Sequence, residues 1–289
     1  MEGWEKTREW LFNMEDTDIK IASHRGKFSS SVIENTSLAF LTAVGEGADM
    51  VEMDLDLTKD GVLVGHHDKT MRRLFSVDGE ISGYTWDEIQ KMPLINYLGE
   101  INVTGLETFQ EILDSLKGKT LIALDKCWDY WDEVYEALAG RDMLGQAIFK
   151  FPVKNSRAAE WAERHGDCMF IPMVKEAEHL EAVDGLRKRA VIPAVEIVPR
   201  KESDSIYADS VFVWLKERHM KVWCNSLSLA RRLVYGAGYD DLKSLALGGD
   251  EGWGVLAKKG VDIIQTDWPA EAAAYLSGIG RRGREGRHF

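Results

Sequence analysis

The sequence predicts an α/β protein: a closed (β/α)₈ barrel with a small insertion after the second strand. Three observations carry that reading. The 289 residues suit one large barrel domain, which typically needs roughly 250. Short apolar runs alternate with helical periodicities along the chain and resolve into eight strand–helix units with short links. No Gly-x-Gly-x-x-Gly follows the first strand, so a doubly wound dinucleotide fold loses support. One domain is expected over 1–280, with the insertion at about 69–105 and a disordered tail at 281–289.

The elements follow in order. Residues 3–13 form an amphipathic helix, with Trp4, Trp10 and Leu11 as its candidate buried positions. Residues 19–23 are a short strand, and His24-Arg25-Gly26 stands at its end. Asn35 or Thr36 caps a helix running to about Val44. In the second strand Glu52, Asp54 and Asp56 alternate with Val51, Met53, Leu55 and Leu57, a period of two with one acidic face. Such a column of like charge stands only in open solvent or around a cation. Asp60-Gly61 is a hairpin signal, and as a two-residue turn it sets His67 opposite Asp54. Strands are expected at 120–125, 146–151, 168–174, 190–198, 221–225 and 261–267, and helices between them.

Composition narrows the function. Hydrophobic residues make up 45% and the net charge is −12, which suits a soluble globular protein and disfavours nucleic-acid binding. Three cysteines without metal spacing, Cys127, Cys168 and Cys224, point to a reducing compartment. No apolar run approaches the ~18 residues of a membrane span, and residues 1–18 carry no apolar signal core. The expected location is the cytoplasm.

In a barrel the site lies at the carboxyl ends of the strands. Those ends carry His24-Arg25, Glu52 and Asp54, Asp125, Lys150, Glu196, Trp223 with Asn225, and Asp267, while the hairpin returns His66 and His67. Each has a bland alternative: Asp267 before Trp268-Pro269 reads as a helix cap, Lys150 as a snorkelling side chain and Trp223 as core. Convergence favours chemistry. Three carboxylates, Glu52, Asp54 and Asp125, suit one hard divalent ion, Mg²⁺ or Ca²⁺. Two histidines beside it supply a general acid and a general base near neutral pH. Arg25 adds a forked donor for phosphate oxygens. Together these outline a phosphodiester-cleaving site.

These residues also fall into an ordered set of motifs. His24-Arg25-Gly26, Glu34-Asn35-Thr36, the 47–68 segment with Glu52-x-Asp54 and His67-Asp68, Arg73, Trp223-Cys224-Asn225 and the closing 260–269 block resemble the glycerophosphodiester phosphodiesterase (GDPD) family of phospholipase-C-like TIM barrels. The resemblance implies hydrolysis of a small glycerophosphodiester to glycerol 3-phosphate and an alcohol. It implies His24 and His67 as the catalytic pair, and Glu52, Asp54 and an acid at the third strand's end as metal ligands. It also implies that the insertion caps the mouth and recognises glycerol. Two features depart from the family. The third strand ends Asp125-Lys126-Cys127 where the family has Glu-x-Lys, and strand parity turns Lys126 away from Asp125. Lys150 is the expected replacement as phosphate cation, with Glu196 and Trp223 as further substrate contacts. The link from Asn225 to Gly260 is long, and Gly248–Trp253 is expected as an extra loop at the mouth. Two other functions compete: a lyase or phosphotransferase on the same barrel that leaves a cyclic phosphate, and a glycoside-cleaving barrel using two carboxylates without metal. Trp86, Trp128, Trp223 and Trp253 leave room for the latter. The sequence does not fix the oligomeric state.

Overall fold

The structure is a computed structural model that describes residues 3–230 and 232–283. Eight parallel strands close into a barrel: β1 (Lys20–His24), β2 (Met50–Leu57), β4 (Leu121–Asp125), β5 (Ala147–Pro152), β6 (Met169–Val174), β7 (Ala194–Ile197), β8 (Lys221–Asn225) and β9 (Ile263–Thr266). Closure is made by β1, which pairs with β2 on one side and β9 on the other. The helices wrap the outside: α2 (Ser37–Gly45), α5 (Phe109–Leu116), α6 (Trp131–Ala139), α7 (Ser156–Arg164), α8 (Leu180–Leu186), α9 (Asp209–Glu217), α10 (Asp241–Leu247), α11 (Trp253–Lys259) and α12 (Pro269–Gly278). Strand β7 is shorter than the expected 190–198, because Pro193 has no N–H for the ladder; Val191 makes one isolated bridge to Met169 before it.

Side chains on one face of each strand fill the barrel. Ala22, Met50, Leu121, Ala123, Ile148, Ala194, Trp223 and Ile263 form an inner apolar cluster. Helix α1 (Gly3–Phe12) closes the amino-terminal end and adds Trp10 and Leu11 to that cluster. The outward-facing side chains form the larger core against the helices, with Trp131 packed edge-on against Phe149 and Phe151. Two residues up each strand the inner face turns polar: Ala22 gives way to His24, Met50 to Glu52 and Asp54, Ala123 to Asp125, Ile148 to Lys150, Ala194 to Glu196 and Trp223 to Asn225. A period of two therefore stacks a dry floor beneath a charged mouth.

Strand β2 runs past the barrel and pairs with β3 (Leu63–Gly65) as a hairpin. The register differs from the sequence expectation by one residue: Leu57 faces Leu63, so His66, not His67, lies opposite Asp54, where its N–H meets the Asp54 carbonyl. The cause is the turn. Thr58 pairs with Val62 around a three-residue loop with Gly61 at φ +81°, the form that ends in a left-handed glycine. The insertion carries α3 (Arg72–Phe75) and α4 (Trp86–Ile89). It has a core of its own, including Val64, Leu74, Phe75, Ile81 and Leu94.

Two further expectations are corrected. Arg281 to Gly283 are ordered: the Arg281 carbonyl accepts from Ile19 N–H, and Arg282 pairs with Asp49. The rest of the expected tail, 284–289, lies outside the described residues. Gly248–Trp253 does not reach the mouth. Gly249 and Asp250 pack on Tyr275 of α12, and it is Tyr235, earlier in the link, that lines the mouth.

Candidate active site

His24 ends β1 in register with Glu52 of β2, and Asp54 of β2 is in register with Asp125 of β4. Three strand ends thus bring one histidine and three acids to one rim. Glu52 and Asp54 are buried. The β1–α2 loop can fold down on them because Gly26, at φ +80°, approaches the Ala39 backbone more closely than any Cβ allows. That loop puts Asn35 against Asp54, with the Asp54 N–H donating to Asn35 Oδ1 (3.0 Å) and Asn35 Nδ2 donating back to the carboxylate (3.3 Å).

Both candidate catalytic histidines are held through Nδ1 by an aspartate. His24 donates to Asp267 Oδ1 at 2.8 Å, so Asp267 is a histidine partner; the first helical residue, Pro269, follows Trp268, and Asp267 does not cap α12. His67 meets Asp68 Oδ1 at 2.8 Å. The His67 hydrogen bond, with Arg73 behind it, holds the Asp68 carboxyl well below the usual range. Arg73 in turn forks onto Glu34, which also receives Arg25 and Tyr97. Burial works to raise the Glu34 carboxyl, but the Arg73 hydrogen bonds and the Arg25 charge outweigh it and hold Glu34 at about 2. This chain ties the cap to the β1–α2 loop.

The cations differ from expectation. Lys126 does not follow strand parity: at φ +53° the backbone has left the extended region, and its ammonium donates to His67 Nε2 at 2.5 Å. Cys127, where the resemblance implies a lysine, is buried in the outer core, and burial pushes its thiol up. Lys150 is fully buried between Asp125 Oδ2 (3.1 Å) and Glu196 Oε2 (3.0 Å). Burial works to lower its ammonium, but Asp125 and Glu196 hold it charged, above the usual value. Glu196 also accepts from Asn225 Nδ2 (3.0 Å). Trp223 is fully enclosed beneath Lys150, 4.9 Å from its ammonium, and donates to Asn225 and Gln265. It supports the mouth and touches no open space, because it sits one strand step below the rim. Arg25, also buried, ion-pairs with Asp54 (3.0 Å) and Glu34 (2.9 Å).

The acids fit a hard cation by donor chemistry. Asp125 has Lys150 and Asp54 has Arg25, but Glu52 accepts only the Arg25 backbone N–H among the described residues (3.2 Å). Burial, then the Asp54 charge, push the Glu52 carboxyl well above the usual range, against the opposing charges of Lys150 and Arg25. The three are not a tight cluster. Among the described residues the group whose ligand atoms lie within 4.8 Å of one another is Glu176, Glu178 and His179, on the rim. There Glu176 also pairs with Lys154, and both glutamates are exposed.

A cavity of 510 Å³ opens beside this rim between Asp125, Lys126, Trp128, Glu196, Arg200 and Tyr235; its lining does not include His24, His67, Glu52 or Asp54. A cavity of 560 Å³ lies at the opposite end of the barrel, under α1, and includes none of the strand-end acids. No helix among the described residues is long and apolar enough to cross a membrane.

Sequence reasoning missed Asp267 as a histidine partner, Lys126 at the mouth, and Glu34 as the joint between loop and cap. The Glu34-Asn35-Thr36 motif was visible, but nothing in its spacing shows that Glu34 gathers two arginines.

The profile of the glycerophosphoryl diester phosphodiesterase family matches residues 24–204, more than half of the chain. That of a domain of unknown function matches 169–276. A glycerophosphodiester phosphodiesterase of Bacillus altitudinis is 42% identical over 72 residues, 25% of this chain and 29% of that protein. The chain thus aligns with under a third of that relative's length. A human protein, lysophospholipase D GDPD1, is 26% identical over 75% of this chain and 72% of its own length. Among solved structures, a glycerophosphoryl diester phosphodiesterase of Parabacteroides distasonis superposes with a TM-score of 0.78 at 22% identity, covering 95% of this chain and 92% of its own. An Oleispira antarctica phosphodiesterase in complex with the product sn-glycerol-3-phosphate gives 0.67 at 18%, covering 91% and 99%. At these identities the structural likeness speaks for the fold.

Proposed function

This chain belongs to the glycerophosphoryl diester phosphodiesterase family, and we propose that it hydrolyses glycerophosphodiesters to glycerol 3-phosphate and an alcohol, with a divalent ion in its mouth. The observation that carries the reading is the pair of histidines, each fixed through Nδ1 by an aspartate, with His24 in register with Glu52. Such rings serve as proton acceptor and proton donor near neutral pH. One takes the proton of the attacking water as its oxygen bonds to phosphorus. The other protonates the alcohol oxygen as its bond to phosphorus breaks.

Glu52, Asp54 and Asp125 would hold the ion, Mg²⁺ or Ca²⁺, whose charge offsets that on the phosphate oxygens. Arg25 keeps Asp54 and Glu34 in place. Lys126 is the cation released to a phosphate at least cost, since it leaves a single ring nitrogen, whereas Lys150 would leave two carboxylates. Its departure would also free His67 Nε2. Glu196 and the insertion are read as shaping the two sides of the mouth, the insertion on the glycerol side. Family membership sets the glycoside-cleaving alternative aside.

The test is a substrate panel followed by phosphorus NMR, with Mg²⁺ and with Ca²⁺. It includes glycerophosphocholine, glycerophosphoethanolamine and a lysophospholipid, the last prompted by the human relative's name. Glycerol 3-phosphate from the first two, absent with His24→Ala, is the expected result. A cyclic phosphate would replace hydrolysis by the lyase reaction, and no turnover of any member would overturn the reading.

A further inference from the structure

The long link after β8 contains an acid that the chemistry above does not use. Asp241 is 1% exposed. It is not the cap of α10: Asp240 holds that place, accepting from Lys243 N–H. The Asp241 side chain instead turns inward and collects donors. Its Oδ1 accepts from Ser226 Oγ (2.6 Å), Trp253 Nε1 (2.8 Å) and Thr266 Oγ1 (2.8 Å). Its Oδ2 accepts the backbone N–H of Asp267 (3.1 Å). One carboxylate thus holds both residues of the β9 turn, and the second of them carries the carboxylate that holds His24.

We propose that Asp241 is a positioning residue for His24: it fixes the Thr266–Asp267 turn so that the Asp267 carboxylate meets His24 Nδ1 and Nε2 is aimed at the reacting phosphate. The inference rests on His24 acting as proposed above. A purely structural role explains the site poorly. Four donors and no lysine or arginine make a buried anion expensive, and burial, with the Asp267 charge, pushes this carboxyl up to about 7. A neutral acceptor would satisfy the three Oδ1 donors equally well. What a neutral amide cannot do is face the Asp267 N–H with an acceptor while its oxygen stays on the Oδ1 side.

Asp241→Asn is therefore the diagnostic change, because it sets an N–H₂ against an N–H and alters little else. In the wild-type protein the His24 Nδ1 proton should resonate far downfield, and Asp267→Asn, which removes it, assigns it. Asp241→Asn should shift or broaden that resonance and lower kcat about tenfold or more, with KM held within about twofold. An unchanged Nδ1 resonance in a folded Asp241→Asn protein overturns the proposal, and so does a change confined to KM. Should Asp241→Asn fail to fold, Thr266→Val cuts one of the two ties between Asp241 and the turn. It should displace the resonance in the same sense, and an unmoved resonance counts against the proposal equally. Absence of any phosphodiester turnover by the wild-type protein would sink the functional reading alone, since the resonance decides the role of Asp241 without an assay.

Discussion

The two histidine arms solve the same problem with opposite electrostatics. The first runs His24, Asp267, Asp241; it is built from strand ends and the long link, and among the described residues no lysine or arginine pairs with either carboxylate. The second runs His67, Asp68, Arg73, Glu34, Arg25; it is built from the hairpin, the cap and a loop, and its charges alternate in sign. Alternating charge makes an arm redundant, since Arg73, Glu34 and Arg25 each have two partners of opposite sign. An acid-only arm has no such reserve, and its geometry depends on single hydrogen bonds in a low-dielectric setting. The first arm should be the brittle one.

The largest effects should come from the rings. His24→Ala and His67→Ala should each lower kcat/KM by about 10²- to 10⁴-fold. Repeating both with a p-nitrophenyl phosphodiester, whose leaving group needs no proton, separates them: the variant that recovers has lost the proton donor. Equal recovery of both would remove the division of labour. The aspartates sharpen the contrast further. Asp267→Asn should cost about 10²-fold or more in kcat, in keeping with a histidine that loses its orienting acid. Asp68→Asn should cost less, because Arg73, itself held by Glu34, still braces the side chain at position 68. A larger loss for Asp68→Asn would reverse the assignment of the brittle arm.

The lysines should divide by what they leave behind. Lys150→Ala strands Asp125 and Glu196, and a urea melt should show a loss of about 3–5 kcal/mol. Lys126→Ala strands no carboxylate, so stability should hold while KM for a phosphodiester rises about tenfold. A further contrast concerns pH. The Asp241 carboxyl, at about 7 in the folded protein, has an ordinary value of about 3.9 in the unfolded chain. Between these the folded state keeps a proton the unfolded state has released. Stability from this group is thus full below about pH 4 and lost as pH rises to 7, by at most about 1.4 kcal/mol per pH unit. Asp241→Asn should flatten that part of the curve, whereas parallel curves would contradict it.

The barrel was legible because its signal is local and repeated: a period of two in each strand, then an amphipathic helix. Glu52, Asp54 and Asp125 could be placed at the rim by counting along strands. What escaped was of two kinds. Lys126 breaks the parity that counting assumes, and a non-glycine residue at φ +53° leaves no mark in a sequence. The hairpin register failed likewise, because Asp60-Gly61 fits both a two- and a three-residue turn. Asp267 and Asp241 escaped for another reason. Their partners lie far away in sequence, as with His24 and Asp267, 243 residues apart, and an acid just after a strand or at a helix start looks like a cap.

The central claim, that the strand-end acids carry a catalytic cation beside the two histidines, is tested most directly by turnover of glycerophosphocholine after metal stripping. Chelation should abolish it, and Mg²⁺ or Ca²⁺ should restore it in the wild-type protein and in Glu178→Gln but not in Asp54→Asn. Turnover indifferent to chelation, or restored in Asp54→Asn and lost in Glu178→Gln, would contradict the account.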